Sequence, residues 1–176
     1  MRLRVVAGSI GGRFFEGPDS PATHPMSERV RGALFNMLGD ISGKTILDPF
    51  AGSGAVSFEA LSRGAAQAIL IERDRRAQET IDENIIKLGL GTRARLIRAN
   101  CRSWSLTAPG EQFDLIIADP PYNDVKVSTL NMLTNHLKPN GLMVVSYPGR
   151  ESAPTVNGVV VVDKRIYGDA ALAIYR

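Results

Sequence analysis

Asp48-Pro49-Phe50-Ala51-Gly52-Ser53-Gly54-Ala55 lies between a short apolar run, Thr45–Asp48, and a helical stretch, Ala55–Arg63, closed by Gly64. Glycines between a strand and a helix let the backbone turn sharply and come close to a ligand. The next apolar run, Ala68–Ile71, is followed by Glu72, twenty residues beyond Gly52. At that spacing an acid accepts hydrogen bonds from ribose hydroxyls, so the pair points to a nucleoside-containing cofactor at the carboxyl ends of parallel strands. A dinucleotide would require a small residue where Ser57 stands, and Asp48 would repel its pyrophosphate. The same carboxylate attracts the sulfonium and ammonium of S-adenosylmethionine, since opposite charges about 4 Å apart gain several kcal/mol in a partly buried site. S-adenosylmethionine is therefore the expected cofactor. Asp48, Phe50, Ala51, Gly52, Gly54, Glu72 and Arg73 are expected to line its site, with Asn100 addressing the adenine edge beside the Cys101 backbone.

Outward from this loop the chain alternates strand and helix. Asp74 caps a helix in which Ala77, Ile81, Ile85 and Leu88 share a face, and Gly89 ends it. Arg93–Arg98 and Leu115–Ala118 read as strands, Val125–Leu137 as a helix before a turn at Pro139-Asn140-Gly141, and Leu142–Ser146 as a strand. Gly158–Val162 and Ala170–Tyr175 close the chain as strands with no helix between them. The expected fold is α/β: a Rossmann-like, mostly parallel sheet with helices on both faces and an antiparallel last strand. Residues 1–43 form an extension to this 44–176 domain. Arg2–Ala7 and Arg13–Glu16 flank a glycine turn as a small β-hairpin, Gly17–Pro25 is a loop, and Ser27 caps a helix with Val30, Ala33, Leu34, Met37 and Leu38 on one face.

Leu115-Ile116-Ile117-Ala118 runs directly into Asp119-Pro120-Pro121-Tyr122. An exocyclic amine of a nucleobase is a poor nucleophile because its lone pair is delocalised into the ring. Asp119 and a backbone carbonyl of the Pro-Pro segment can each accept a hydrogen bond from it, which favours a pyramidal nitrogen aimed at a methyl carbon. Prolines hold that backbone and bring no competing N–H donor. Tyr122 offers a face for an extruded base, a stack contributing about 1–3 kcal/mol. Carbon methylation of a pyrimidine needs a cysteine nucleophile, and Cys101 has no activating neighbour in the sequence.

Composition sets the class. The chain has 176 residues, 44% hydrophobic and 22% charged, which fits one globular domain with a short extension and argues against disorder. No apolar run approaches the roughly 18 residues of a membrane span, and the start lacks a secretory core. One cysteine and two histidines make neither a disulfide framework nor a structural zinc site, so a cytoplasmic protein without a metal is expected. The net charge of +3 is mild. Arg2, Arg4 and Arg13 have no acid among them in the first fifteen residues, and Arg29 and Arg31 follow on the first helix; these five are the candidate RNA contacts. A second cluster, Arg93, Arg95, Arg98 and Arg102, reads equally as a solvated strand edge.

The segment His24-Pro25-Met26-Ser27-Glu28-Arg29-Val30-Arg31-Gly32-Ala33-Leu34-Phe35-Asn36-Met37-Leu38, with the Phe50–Gly54 loop, Asp119–Tyr122 and Tyr167-Gly168-Asp169, resembles the RsmD family across essentially the whole chain. That resemblance implies a seven-stranded sheet and methylation of a guanine N2 amine in bacterial small-subunit ribosomal RNA, within the small subunit or an assembly intermediate. It implies catalysis around Asp119, Pro120, Pro121 and Tyr122, with Met26 and Ser27 near the methionine end of the cofactor. The chain departs from the family in having His24-Pro25 where Arg-Pro is usual. Methylation of DNA or of a protein side-chain amide, and a catalytically silent RNA-binding module, are the alternatives. No room is left for the separate target-recognition domain of DNA enzymes, the intact Asp48, Gly52, Gly54 and Asp119 speak against a silent module, and a monomer is expected.

Overall fold

The computed structural model describes residues 1–21 and 23–176. Two short strands, β1 (Arg2–Arg4) and β2 (Phe14–Glu16), pair antiparallel and are followed by α1 (Glu28–Leu38). The main body runs β3 (Thr45–Asp48), α2 (Ala55–Ser62), β4 (Gln67–Glu72), α3 (Arg75–Leu88), β5 (Ala94–Arg98), α4 (Cys101–Thr107), β6 (Phe113–Ala118) and α5 (Val127–Leu133). A 3-10 turn over Thr134–His136 then leads into β7 (Leu137–Pro148), β8 (Val161–Tyr167) and β9 (Ala170–Tyr175). The seven-stranded sheet has the order β5-β4-β3-β6-β7-β9-β8. Neighbours from β5 to β7 are parallel, and β9 is antiparallel to both β7 and β8. The chain reverses its direction of travel across the sheet between β3 and β6, and in open α/β sheets ligands bind at the carboxyl ends of strands at such a switch point.

Alternation along the strands builds two cores. Ile46, Leu115, Ile117, Val144 and Leu172 face α1, α2 and α3, whereas Leu47, Ile116, Ala118, Val145 and Ala173 face α4 and α5. On the second side Trp104 lies 4.6 Å from the His136 ring, and His136 joins Ser105 Oγ to the Glu111 carbonyl at 2.7 Å each. No helix among the described residues is long and apolar enough to cross a membrane.

The helix caps form as expected: Ser27 accepts from Val30 N–H at 3.2 Å and Asp74 from Ala77 N–H at 2.9 Å. Four boundaries differ from the sequence reading. The hairpin ladder runs over Arg2–Arg4 and Phe14–Glu16, and Val5 still bonds to Arg13 and Gly12, but the Val6 and Ala7 N–H groups turn away to Glu59 on α2. The helix expected over Val125–Leu137 is shorter, and Leu137 already pairs with Phe113. Pro139-Asn140-Gly141 lies within β7, with Asn140 at φ 65° and a shift of register against β6. β8 starts at Val161 and extends through Asp163-Lys164-Arg165, an edge strand whose charges hide its strand pattern.

The extension is fastened to α2, every residue of which is buried. Ser9 N–H donates to the Ser62 carbonyl at 2.7 Å, and a Cβ at Gly8 would fall 2.0 Å from that oxygen, so only glycine permits this approach. Phe15 meets Phe58 edge-to-face at 5.2 Å. Arg31, 1% exposed, donates to Glu59, the Met26 carbonyl and the Arg4 carbonyl, and so joins hairpin, α1 and α2 at one point.

Candidate active site at the carboxyl ends of the parallel strands

β3 delivers Asp48 to the switch point, and the loop that follows turns on two glycines in the left-handed region, Gly52 at φ 55° and Gly54 at φ 79°. The loop is tied to β4: Ala51 N–H donates to the Ile71 carbonyl at 3.0 Å, and Gly52 N–H to Glu72 Oε2 at 2.7 Å. The other oxygen of Glu72 accepts from Asp74 N–H at 2.7 Å. Glu72 thus stiffens the loop, and each oxygen keeps a second lone pair. The segment before α1 reaches this loop. A Cβ at Gly52 would stand 3.3 Å from Thr23 Cγ2, and Met26 is buried in the same apolar cluster as Ala51 and Ala55. Phe50 is half-buried and Arg73 is exposed beside Glu72.

Asp48 is 2% exposed and has one side-chain partner, Ser57 Oγ, which donates to it at 2.7 Å. Burial, with smaller contributions from the charges of Asp119 and Glu72, pushes its pKa up to about 7 against the pull of that hydroxyl. Burial likewise raises Asp119, at the end of β6, to about 6, opposed by the Ser146 hydroxyl. Asp48, Glu72 and Asp119 therefore form an acidic group at the ends of three adjacent strands. Among the described residues no cluster of His, Cys, Asp or Glu is arranged to hold a metal ion. What fits such a group is an organic cation whose charge the protein itself does not supply.

Beyond Asp119, Pro120 is buried and Pro121 exposed. The Pro121 carbonyl accepts from Asp124 N–H at 2.9 Å and closes a turn. Tyr122 is 40% exposed, and its hydroxyl lies 2.8 Å from Ser146 Oγ on β7. Ser57 enters the sequence reading only as a departure from the dinucleotide fingerprint and Ser146 not as a site residue, because each acts through a partner on another element. Burial pushes the Cys101 thiol up to about 12, which leaves it a poor nucleophile. Asn100 caps α4, its Oδ1 accepting from Arg102 N–H at 2.9 Å, which leaves its amide N–H donors and the second lone pair of Oδ1 for a ligand.

The candidate RNA arginines separate. Arg31 is enclosed, as the price of joining three elements is that its guanidinium never reaches the surface; that expectation is corrected. Arg13 donates to the Lys87 and Leu88 carbonyls at the end of α3, at 2.5 and 3.2 Å. Arg4 pairs with Glu28 at 2.6 Å. Arg2 is exposed and stacks on the exposed Phe14 ring at 3.7 Å, and Arg29 is exposed on α1. In the second cluster Arg93 holds the Leu61 and Ala65 carbonyls and Arg98 pairs with Asp82, while Arg95 and Arg102 are exposed.

A sheet of this order, with acids at three strand ends and Asp-Pro-Pro-Tyr at the switch point, defines a Rossmann-like methyltransferase fold. The solved Escherichia coli chain described as methyltransferase yhhF superposes with a TM-score of 0.89 at 33% identity, covering 99% of this chain and 97% of that one. The Thermus thermophilus hypothetical protein TTHA0928 gives 0.84 at 31% identity, covering 98% of each. The chain belongs to the family described as conserved hypothetical protein 95, matching it over residues 3–176, which is the RsmD family of the resemblance above. Ribosomal RNA small subunit methyltransferase D of Escherichia coli K12 is 34% identical over 180 residues, 99% of this chain and 90% of that protein.

Proposed function

We propose that the protein transfers a methyl group from S-adenosylmethionine to the exocyclic N2 amine of a guanine in small-subunit ribosomal RNA. The observation that carries this reading is the group formed by Asp48, Glu72 and Asp119, buried or half-buried acids beside a tyrosine whose ring is exposed. When bound, the cofactor would supply an activated methyl group to the amine nitrogen, its sulfur keeping the electron pair of the broken bond and the amine proton passing to solvent. Asp48 holds the cationic methionine end, Glu72 the ribose hydroxyls, and the Asn100 amide with the Cys101 backbone the adenine. Phe50, Ala51, Gly52, Gly54 and Arg73 line the site, and Met26 and Ser27 cover it. Asp119 accepts one hydrogen bond from the amine. The second acceptor is a backbone carbonyl of the Pro-Pro segment, where the Pro121 oxygen accepts from Asp124 N–H and keeps one lone pair. Tyr122 carries the base. The names of the curated relatives support ribosomal RNA as the substrate. Residues 1–43 place the RNA, with Arg2 and Arg29 as the cations free to meet phosphate, and residues 44–176 carry the chemistry. The protein acts as a cytoplasmic monomer.

Incubating the protein and labelled cofactor with ribosomal RNA, and with small subunits, from a strain lacking the gene tests this reading. Nucleoside mass spectrometry is expected to show labelled N2-methylguanosine. Label in another nucleoside, or in none from either substrate, would overturn it. Asp119→Ala is expected to lower turnover at least about a hundredfold with cofactor affinity little changed, the scale of losing one positioned hydrogen-bonding group.

A further inference from the structure

Ser146 lies on β7, 2% exposed, between two residues of the Asp119–Tyr122 loop. Its Oγ is 2.8 Å from Tyr122 Oη, and the pairing of Ala118 with Val145 sets the next residue, Asp119, beside Ser146, whose hydroxyl draws the carboxyl's pKa down. Counting protons orders this chain. An ionised carboxylate only accepts, and serine has one proton to give. With that proton on Asp119, Ser146 Oγ must accept from Tyr122, so both O–H groups point toward the carboxylate. Hydrogen bonds aligned in one direction polarise each other.

We infer that Ser146 is a positioning residue that joins the amine acceptor Asp119 to the base platform Tyr122 in one polarised hydrogen-bond chain. The inference rests on the proposed role of Asp119. It explains why a hydroxyl occupies the core face of a strand whose neighbours Val144, Val145 and Tyr147 are apolar or aromatic and buried. The chain has two effects. It fixes the tyrosine ring relative to the acceptor, so a base stacked on Tyr122 arrives with its amine at Asp119. It also opposes the burial that drives Asp119 toward its protonated form, which cannot accept from an amine with that oxygen. The groups facing Asp119 are Asp48 from β3 and Tyr122 from its own loop, with Glu72 from β4 beyond Asp48. Asp48, pushed up to about 7, still carries its proton where Asp119 titrates, but the hydrogen-bonding side chain that bears on the Asp119 carboxyl is Ser146.

Ser146→Ala, Ser146→Thr and Tyr122→Phe separate this role from simple packing. In Ser146→Ala the acid limb of the kcat/KM profile is expected to move up by about one pH unit, with kcat down about tenfold, as expected when a hydrogen bond to a charged group is lost. Ser146→Thr, which keeps the hydroxyl, restores the limb. Tyr122→Phe leaves the limb near its wild-type position, because Ser146 still donates to Asp119, but raises KM for RNA several-fold. Carboxyl carbon NMR of the resting protein reads the same upward move of Asp119 in Ser146→Ala without any turnover, and melting curves check that each variant is folded. A folded Ser146→Ala with wild-type limb and wild-type Asp119 titration would overturn the inference. If the NMR shift appears while wild type methylates no ribosomal RNA, the hydrogen-bond chain stands and the substrate reading fails.

Discussion

Asp48 and Glu59 are buried carboxylates eleven residues apart in the chain, at 2% and 0% exposure, and they meet opposite surroundings. Glu59 accepts from Val6 N–H at 2.8 Å, Ala7 N–H at 3.0 Å, Arg31 Nε at 3.3 Å and Arg63 Nε at 2.9 Å. The pKa of Asp48 is drawn down only by the Ser57 hydroxyl and, more weakly, by the Phe50 N–H, and its carboxyl faces two other acids. A buried charge that is matched inside the protein holds structure together, whereas one left without a cation needs a partner from outside. The first fastens the extension; the second lies at the proposed binding site.

The contrast can be broken at either end. The largest effect is expected at Glu59. Glu59→Ala strands the Arg31 guanidinium in the core and removes the acceptor of two backbone N–H groups, so stability is expected to fall by about 3–5 kcal/mol. A denaturant melt matching wild type would erase the distinction. Asp48→Asn is expected to do the reverse to the cofactor-free protein. The pKa values of Asp48 (about 7) and Asp119 (about 6) are raised. Their contribution to stability is therefore complete below about pH 4, the unfolded value, and is lost as pH rises through 6 to 7. At pH 8 the Asn variant is expected to melt about 2–6 °C above wild type, the equivalent of ~1–2 kcal/mol at this chain length. Its cofactor affinity is expected to drop at least about tenfold, as for a lost charge-assisted hydrogen bond. Wild-type affinity is expected to strengthen as pH rises through about 7 and Asp48 ionises. Calorimetry across pH 5 to 9 checks both, and a lower melting temperature for Asp48→Asn at pH 8 would refute the unmatched charge. The smallest effect lies outside the core. Arg2→Ala with Arg29→Ala is expected to flatten the salt dependence of RNA binding by about 0.7 units of slope for each single-strand phosphate left without its arginine. Arg13→Ala is expected to leave that slope alone and lower stability instead.

The fold was legible where hydrophobic pattern and punctuation agree. Thr45–Asp48, Leu115–Ala118 and the helix between Asp74 and Gly89 carry their own signals, apolar runs in two cases and caps in the third, although the second strand starts two residues earlier, at Phe113. Helix α4 escapes a reading of the sequence, since seven residues with only Cys101, Trp104 and Ser105 buried show too little of a helical period. The arginines were legible as cations but not as free ones. Nothing near Arg13 in the chain announces the carbonyls of Lys87 and Leu88, more than seventy residues away. Likewise Ser146 reads as a polar interruption of an apolar strand, and Ser57 only as a departure from the dinucleotide fingerprint, until the fold brings Tyr122 to the one and Asp48 to the other. Residues that face a ligand announce themselves by type and spacing; residues that hold those in place do so only through distant partners.

Trp104 gives the molecule an optical property. It is the sequence's single tryptophan, packed against His136 and Phe113 at the middle of α4, whose first turn adjoins the proposed adenine site. Red-edge excitation therefore addresses one indole at one known place. Its buried position sets a blue emission in the native protein, and opening of the α4–α5 side brings water to the ring and moves that emission to the red. Cofactor titrations and unfolding of that side can accordingly be followed by intrinsic light, with no label attached.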